Sequence, residues 1–190
     1  MRVIRLLFAA LLFTAACTGS PSKTSTPNDF VDAACTDLAT WGTTVQQAFA
    51  DLQSLGQVGA AGDPTAQAQL LGKLSASLAK ADTATAQLAN GISARGAPNI
   101  ASGDDVKTAI LDALNRLRDA LGKTRRAVDS FHADTATKED SDALKTQLDG
   151  LTTEVASTFA GLAPLNQNND LRAAFTGSAA CQSVASSFSS

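Results

Sequence analysis

Apolar residues recur along this chain at alternating intervals of three and four, and polar or glycine-rich stretches interrupt the rhythm. The clearest run is Val31, Ala34, Leu38, Trp41, Val45, Ala48, Leu52 and Leu55. A stripe of this kind stays on one side of an α-helix and packs against neighbours at shallow angles. Thr26 and Asp29 make a Thr-x-x-Asp capping pattern around Pro27, so a first helix is expected to open there and to end in Gly56, Gly59 and Gly62. Asp63-Pro64 opens a second helix with Leu71, Leu74, Leu78, Ala81, Thr85 and Leu88 on its inner face, and Asn90-Gly91 is the expected stop. Residues 91–102, with Gly96 and Pro98, read as a loop.

Ser102 and Asp105 cap a third helix, whose stripe runs Val106, Ile110, Leu114, Leu117, Leu121, Thr124, Val128, Phe131. After a turn over residues 133–136, Thr137 and Asp140 cap a fourth, with Leu144, Leu148, Leu151, Val155, Thr158 and Leu162 inward and Pro164 at its end. A short fifth helix runs from about Asp170 to Val184 and turns Leu171, Ala174, Phe175 and Cys181 inward. The fold class expected is all-α: an antiparallel up-down-up-down four-helix bundle with a short C-terminal fifth helix. The competing architecture is an extended coiled-coil hairpin. Phe49, Leu70, Leu111 and Phe159 widen the stripes beyond a two-stranded seam and favour the bundle. In that order of helices the start of the first, the end of the fourth and residues 91–102 share one end, while residues 56–62 and 132–137 form the far tip.

The first residues follow a different rule. Arg2 and Arg5 precede an apolar run from Leu6 to Phe13, and small residues then lead to Cys17. This is the layout of a secretory signal over residues 1–16, too short for a membrane span, which needs roughly 20 apolar residues. The ending on Cys17 resembles the lipobox of bacterial lipoproteins, in which the thiol is diacylated and becomes the first mature residue. Thr14 stands where that motif carries Leu, and ordinary cleavage near Ala16, releasing a soluble protein, is the competing expectation. Thr18 to Thr26 is polar and includes Gly19 and Pro21, so residues 17–27 are expected to be a flexible tether and residues 28–190 the folded domain.

Cleavage before Cys17 leaves 174 of the 190 residues and removes Arg2 and Arg5, moving the net charge from −3 to −5. That length suffices for one domain with a full core. The mild acidity argues against nucleic acid, which needs clustered Lys and Arg. With Cys17 spent on the anchor, Cys35 and Cys181 remain as a pair in an oxidising compartment, where a disulfide is the default. The bundle order brings the two to the same end. They lack a CxxC spacing or a companion His for redox or metal chemistry.

Candidate chemistry is sparse. His132 is the sole histidine, so a Ser–His–Asp site would have to use it. Its place at the end of the third helix suits a cap on the last carbonyls instead. The stretch from Gly91 to Gly96 has Arg95 where a nucleophile elbow needs Gly. Arg116, Arg118, Lys123, Arg125 and Arg126 form the densest basic run. The i,i+4 pairs Asp112–Arg116, Asp119–Lys123 and Arg125–Asp129 absorb most of it, leaving Arg118 and Arg126 as possible contacts for an anionic partner. The acids at Asp104-Asp105 and at Glu139-Asp140 suit first helical turns and lack EF-hand spacing. No motif calls for a metal or a cofactor.

Signal, Cys17, polar tether and Ala-rich helical domain together resemble the small secreted lipoproteins of actinobacteria, a group without an assigned activity. The local echoes are Phe30-Val31-Asp32-Ala33-Ala34-Cys35 with Trp41 following, and Leu171-Arg172-Ala173-Ala174-Phe175 leading to Ala179-Ala180-Cys181-Gln182. In that group the second and third cysteines typically link the two ends. The expected function is a lipid-anchored, non-enzymatic binding or scaffolding domain on the outer face of the cytoplasmic membrane, with an envelope protein as partner. The alternatives are a carrier holding an amphiphile or small ligand in the bundle interior, and a hydrolase built on His132. The Leu, Val and Ala of the stripes favour a closed core over a cavity.

Overall fold

The computed structural model of the chain describes residues 24–58, 63–161 and 167–187. The expected leader, Cys17, the tether up to Lys23, Gly59, Gly62, Leu162 and Pro164 lie outside them. Among the described residues the protein is all-α, with six helices and one two-residue strand pair. Helix α1 spans Pro27–Val58, α2 Pro64–Ala94, α3 Gly103–Ser130 and α4 Lys138–Gly161. Two shorter helices follow, α5 over Asn169–Gly177 and α6 over Ala179–Ser187. Strand β1, Thr24–Ser25, pairs in parallel with β2, Ala97–Pro98.

Local chemistry sets most of the helix starts. Thr26 Oγ1 accepts the Asp29 N–H at 3.2 Å and donates to the Asp29 carboxylate at 2.7 Å, closing the first turn of α1. Asp63 caps α2 by accepting the Thr65 N–H at 2.9 Å, with Pro64 in the first turn. Before α4, Thr137 Oγ1 accepts the Asp140 N–H at 3.2 Å, and the Asp140 carboxylate accepts the Thr137 N–H at 2.9 Å. This is a reciprocal cap with Asp in place of the usual Glu.

Several expectations need correction. α1 runs through Gly56 to Val58. α2 continues through Asn90-Gly91 and ends at Ala94, and among the described residues the glycine with left-handed backbone is Gly96, at φ 78°. Gly91 answers a contact instead of a turn, because a Cβ there would lie 2.5 Å from Asp37 Oδ2. Ser102 occupies the N-cap position of α3, but only its carbonyl takes part, accepting the Val106 N–H at 2.9 Å, and its side chain makes no capping bond. The entry to α3 is fixed by Gly103, where a Cβ would lie 1.9 Å from the Pro98 carbonyl oxygen. The single fifth helix is two, broken at Ser178. Ser178 Oγ accepts the Cys181 N–H at 3.2 Å and so starts α6 afresh. Thr24 to Thr26 is not free tether: β1 holds Ala97 and Pro98, Ser25 Oγ donates to the Arg95 carbonyl at 2.6 Å, and the Asn99 N–H donates to the Ser25 carbonyl at 2.8 Å.

Packing follows chain order. α1 lies on α2, α2 on α3 and α3 on α4, while α5 and α6 lie on α1. Partners fall along one helix as they rise along the next. From α1 to α2 they are Asp37 with Arg95, Trp41 with Thr85 and Asp51 with Ser77. From α2 to α3 they are Ser75 with Asp129 and Asp82 with Arg118, and from α3 to α4 Arg116 with Glu154 and Thr124 with Gln147. The buried stripes meet in one core around Trp41, Phe30, Leu74, Leu78, Leu114 and Leu117. Each fully buried Leu or Phe contributes about 1.5–3 kcal/mol. The Trp41 indole N–H donates to Thr85 Oγ1 at 2.9 Å, and that hydroxyl donates to the Ala81 carbonyl at 2.7 Å. Trp41 is therefore a core residue with its polar atom satisfied.

Candidate functional site

The two ends of the molecule are built differently. At one end Cys35 and Cys181 are joined, their sulfurs 1.98 Å apart and their Cα atoms 4.9 Å apart. Both are completely buried, and Cys181 Sγ also faces the Val31 carbonyl at 3.9 Å. This contact presses α6 onto the first turns of α1. Here too sit the β1–β2 pair and the Arg95–Asp37 ion pair at 2.8 Å. The sequence-based pairing of the two cysteines matches the structure.

The opposite end carries three adjoining grooves of about 570, 530 and 400 Å³ around the α3–α4 turn. Phe131 lines all three. This residue closes the stripe of α3, with its backbone N–H bonded to the Val128 carbonyl, and its ring stays half-exposed because no further turn covers it. Leu71 and Ala133 join the first two grooves, and Leu144 and Ala136 join the last two. The middle groove reaches Leu52 on α1 and Leu148 on α4. Those two residues also border the apolar seam between the helices, which is closed to about 10 Å³.

The rim is charged and mostly paired. Lys145 and Asp149 meet at 2.7 Å, and the hydrogen bond from Lys145 to Asp149 raises the lysine pKa above its ordinary value. The Thr137 backbone N–H, and after it the Thr137 hydroxyl, lower the pKa of Asp140. Asp129 pairs with Arg125 at 3.5 Å, and Lys138 with Asp142. These are solvated pairs, each with little energetic weight.

His132 stands on this rim, exposed, in the first and third grooves. The expected ring cap on α3 is not formed: the C-cap is Phe131, and His132 joins the turn only through its carbonyl, which accepts the Thr135 N–H at 3.1 Å. The exposed ring finds water as easily as a carbonyl. Arg118 is not left over, since it reaches across to Asp82 on α2 at 3.2 Å. Arg116 forms an ion pair with Glu154 on α4 at 3.4 Å, without a hydrogen bond to that buried oxygen, and not with Asp112. The expected Asp119–Lys123 pair is not formed, and neither Lys123 nor Arg126 has an ion-pair partner among the described residues, so of the expected anionic contact Arg126 remains. These cross-helix pairs depend on which helices are neighbours, and i,i+4 spacing cannot show that.

Among the described residues, no three His, Cys, Asp or Glu side chains gather to hold a metal, and no helix is long and apolar enough to cross a membrane. Compared with protein-family profiles, curated proteins and solved structures, the chain matches none. The groove lining was missed in the sequence because Leu71, Leu144 and Leu148 are stripe residues like the others. The available signal was Phe131, an aromatic at the end of a stripe with a polar turn beyond it.

Proposed function

We propose that the protein is a lipid-anchored, non-enzymatic binding or scaffolding domain of the bacterial cell envelope, of the kind its layout resembles. In this reading residues 1–16 are a signal peptide, Cys17 carries the lipid on the outer face of the cytoplasmic membrane, and the four long helices form an antiparallel up-down-up-down bundle. The observation that carries the reading is the separation of the two ends. Strand β1 fixes the chain's exit beside the disulfide, while the grooves open at the other end of α1. The 32 residues of α1 span about 48 Å. A tether at one end therefore presents the grooved end away from a lipid surface, towards a partner.

Two observations weigh against the alternatives. The seam between the helices, at about 10 Å³, leaves no room for the ligand of a carrier, since such sites occupy roughly 300–1,000 Å³. His132 makes no ring hydrogen bond to a carboxylate or hydroxyl among the described residues, whereas a hydrolase would orient its base through one. The test is Cys17→Ser with envelope fractionation. The variant should leave the membrane fraction, because two acyl chains hold a protein stably where none remain. Retention of mature-sized Cys17→Ser protein in the membrane to the same extent as wild type would end the anchored reading.

A further inference from the structure

We propose that the groove running from Leu52 and Leu71 to Leu144 and Leu148 is a docking site for a basic amphipathic helix of a partner polypeptide. The inference rests on the binding-domain reading and names the partner's chemistry.

The first argument is the pattern of α1. Val31 and Cys35 face the C-terminal helices, and Cys181 meets both of them. Phe49 follows Val31 by eighteen residues, about five turns, so it points the same way as Val31. Yet α5 and α6 are nine residues each, about 13 Å long, and the disulfide fixes them at Cys35. Phe49 and Leu52 lie about 21–25 Å farther along the axis. The α1 face that the chain covers with its own short helices at one end is thus left half-exposed at the other, at Phe49 and Leu52, and Leu148 of α4 meets Leu52 in the groove. What covers the first half of that face is a short amphipathic helix presenting Cys181 and Val184, and the second half is continuous with it.

The second argument is the groove's form. It holds about 530 Å³ and opens to solvent along one side, while the seam beneath it is filled. An open trough with an apolar floor suits the i, i+3, i+4, i+7 anchors of a helix laid into it. An acyl chain would need the closed interior.

Charge supplies the third. Among the described residues Asp129, Asp134, Asp140 and Asp149 line the three grooves against Lys145; Asp129 pairs with Arg125 and Asp149 with Lys145, so the acids without an ion pair are Asp134 and Asp140, in the two grooves that adjoin this one. A helix flanked by Lys or Arg is drawn to that rim, and an acidic one is repelled.

The probe is a labelled synthetic peptide of about 18 residues with a Leu stripe at helical spacing and Lys elsewhere. One control carries Glu for every Lys, and another has the same composition in scrambled order. Fluorescence anisotropy with the intact oxidised protein should give a Kd near 10 μM for the Lys peptide and at least about tenfold weaker binding for both controls. Ala136→Trp fills the groove and should weaken binding at least about tenfold, while Asn99→Trp at the disulfide end should not. Because Ala136→Trp can unfold the turn, the double reversal Asp134→Lys/Asp149→Lys on the exposed rim serves as a second variant and should weaken the Lys peptide while restoring the Glu peptide. Equal binding of all three peptides, indifference to both groove variants, or self-association of the protein that Ala136→Trp abolishes would overturn the proposal. A photo-crosslinking residue in intact envelopes, at Ser141 or at Asn99, separates this proposal from the reading beneath it. Protein adducts at Asn99 but not at Ser141 would remove the groove and leave the binding domain standing. Adducts at neither position would remove both.

Discussion

Cutting the Cys35–Cys181 bond is the most informative perturbation of this fold. The two residues are 146 apart in sequence. Closing a loop of that length removes denatured-state entropy equivalent to about 5 kcal/mol. Net stabilities of whole domains are about 5–15 kcal/mol, so the bond matters on the global scale. At about 2–4 °C per kcal/mol for a chain of this size, the double variant Cys35→Ala/Cys181→Ala should melt about 10–20 °C below the oxidised protein. The local effect should be larger still. Among the described side chains α5 and α6 bury Leu171, Ala174, Cys181 and Val184, with Phe175 and Ala180 half-buried against the core. Burying two aliphatic side chains contributes about 3–6 kcal/mol, against an ordering cost of about 1–2 kcal/mol for each residue of the pair. Without the bond the two helices should detach while the long helices persist. Hydrogen exchange read by mass spectrometry should show amides of α5 and α6 exchanging much faster in the reduced protein, with α2 and α3 still protected. A melting shift under about 2 °C would refute the loop-closure argument. Unchanged exchange in α5 and α6 would refute the claim that the bond holds them. Free thiols in protein isolated without reductant would refute both.

Three further perturbations are checked by thermal melting. Gly103→Ala should cost about 1–3 kcal/mol, because the Pro98 carbonyl is backbone and cannot swing clear, and an equally stable variant would contradict the packing of β2 on α3. Asp140 has its pKa lowered by Thr137, so its contribution is present above about pH 4 and lost as the pH falls through the folded value. The melting difference between wild type and Asp140→Asn should accordingly shrink on acidification, and a difference that grows would reverse the sign of the argument. His132→Ala should change stability by less than about 0.5 kcal/mol, since the ring is exposed and caps nothing, and a larger loss would restore the helix-capping role.

The helices were legible because each stripe is a local property. Val31 to Leu52 or Val106 to Val128 can be read at 3.6-residue spacing without knowing what lies opposite. The Thr26, Asp63 and Thr137 caps are local too, and they agree with the structure. Features decided across helices were misread. Gly91 looks like a stop because glycine ends helices, but here it leaves room for Asp37, fifty-four positions away in sequence. Arg118 looks spare until α2 brings Asp82 beside it. Thr24 and Ser25 look like tether because two polar residues show no sign of a strand until Ala97 and Pro98 supply the other half. The cysteine pair was recoverable for the opposite reason: parity, compartment and helix order all converged on one end of the molecule. The grooves were not, because whether Leu148 is covered depends on how far α5 and α6 reach.

The disulfide also changes how the molecule would carry mechanical tension. A force applied between Thr24 and Ser187 passes from Cys35 directly to Cys181 through the sulfur bridge. The extensible contour is then the 11 residue steps before Cys35 and the 6 after Cys181, about 60 Å in all, where the unbridged chain would pay out about 570 Å. Between those two cysteines lie the four long helices and the grooves, off the line of force. A domain pulled at these two points would give up β1 and the first turns of α1 at one end and the last turns of α6 at the other, and then stop, with its far end intact.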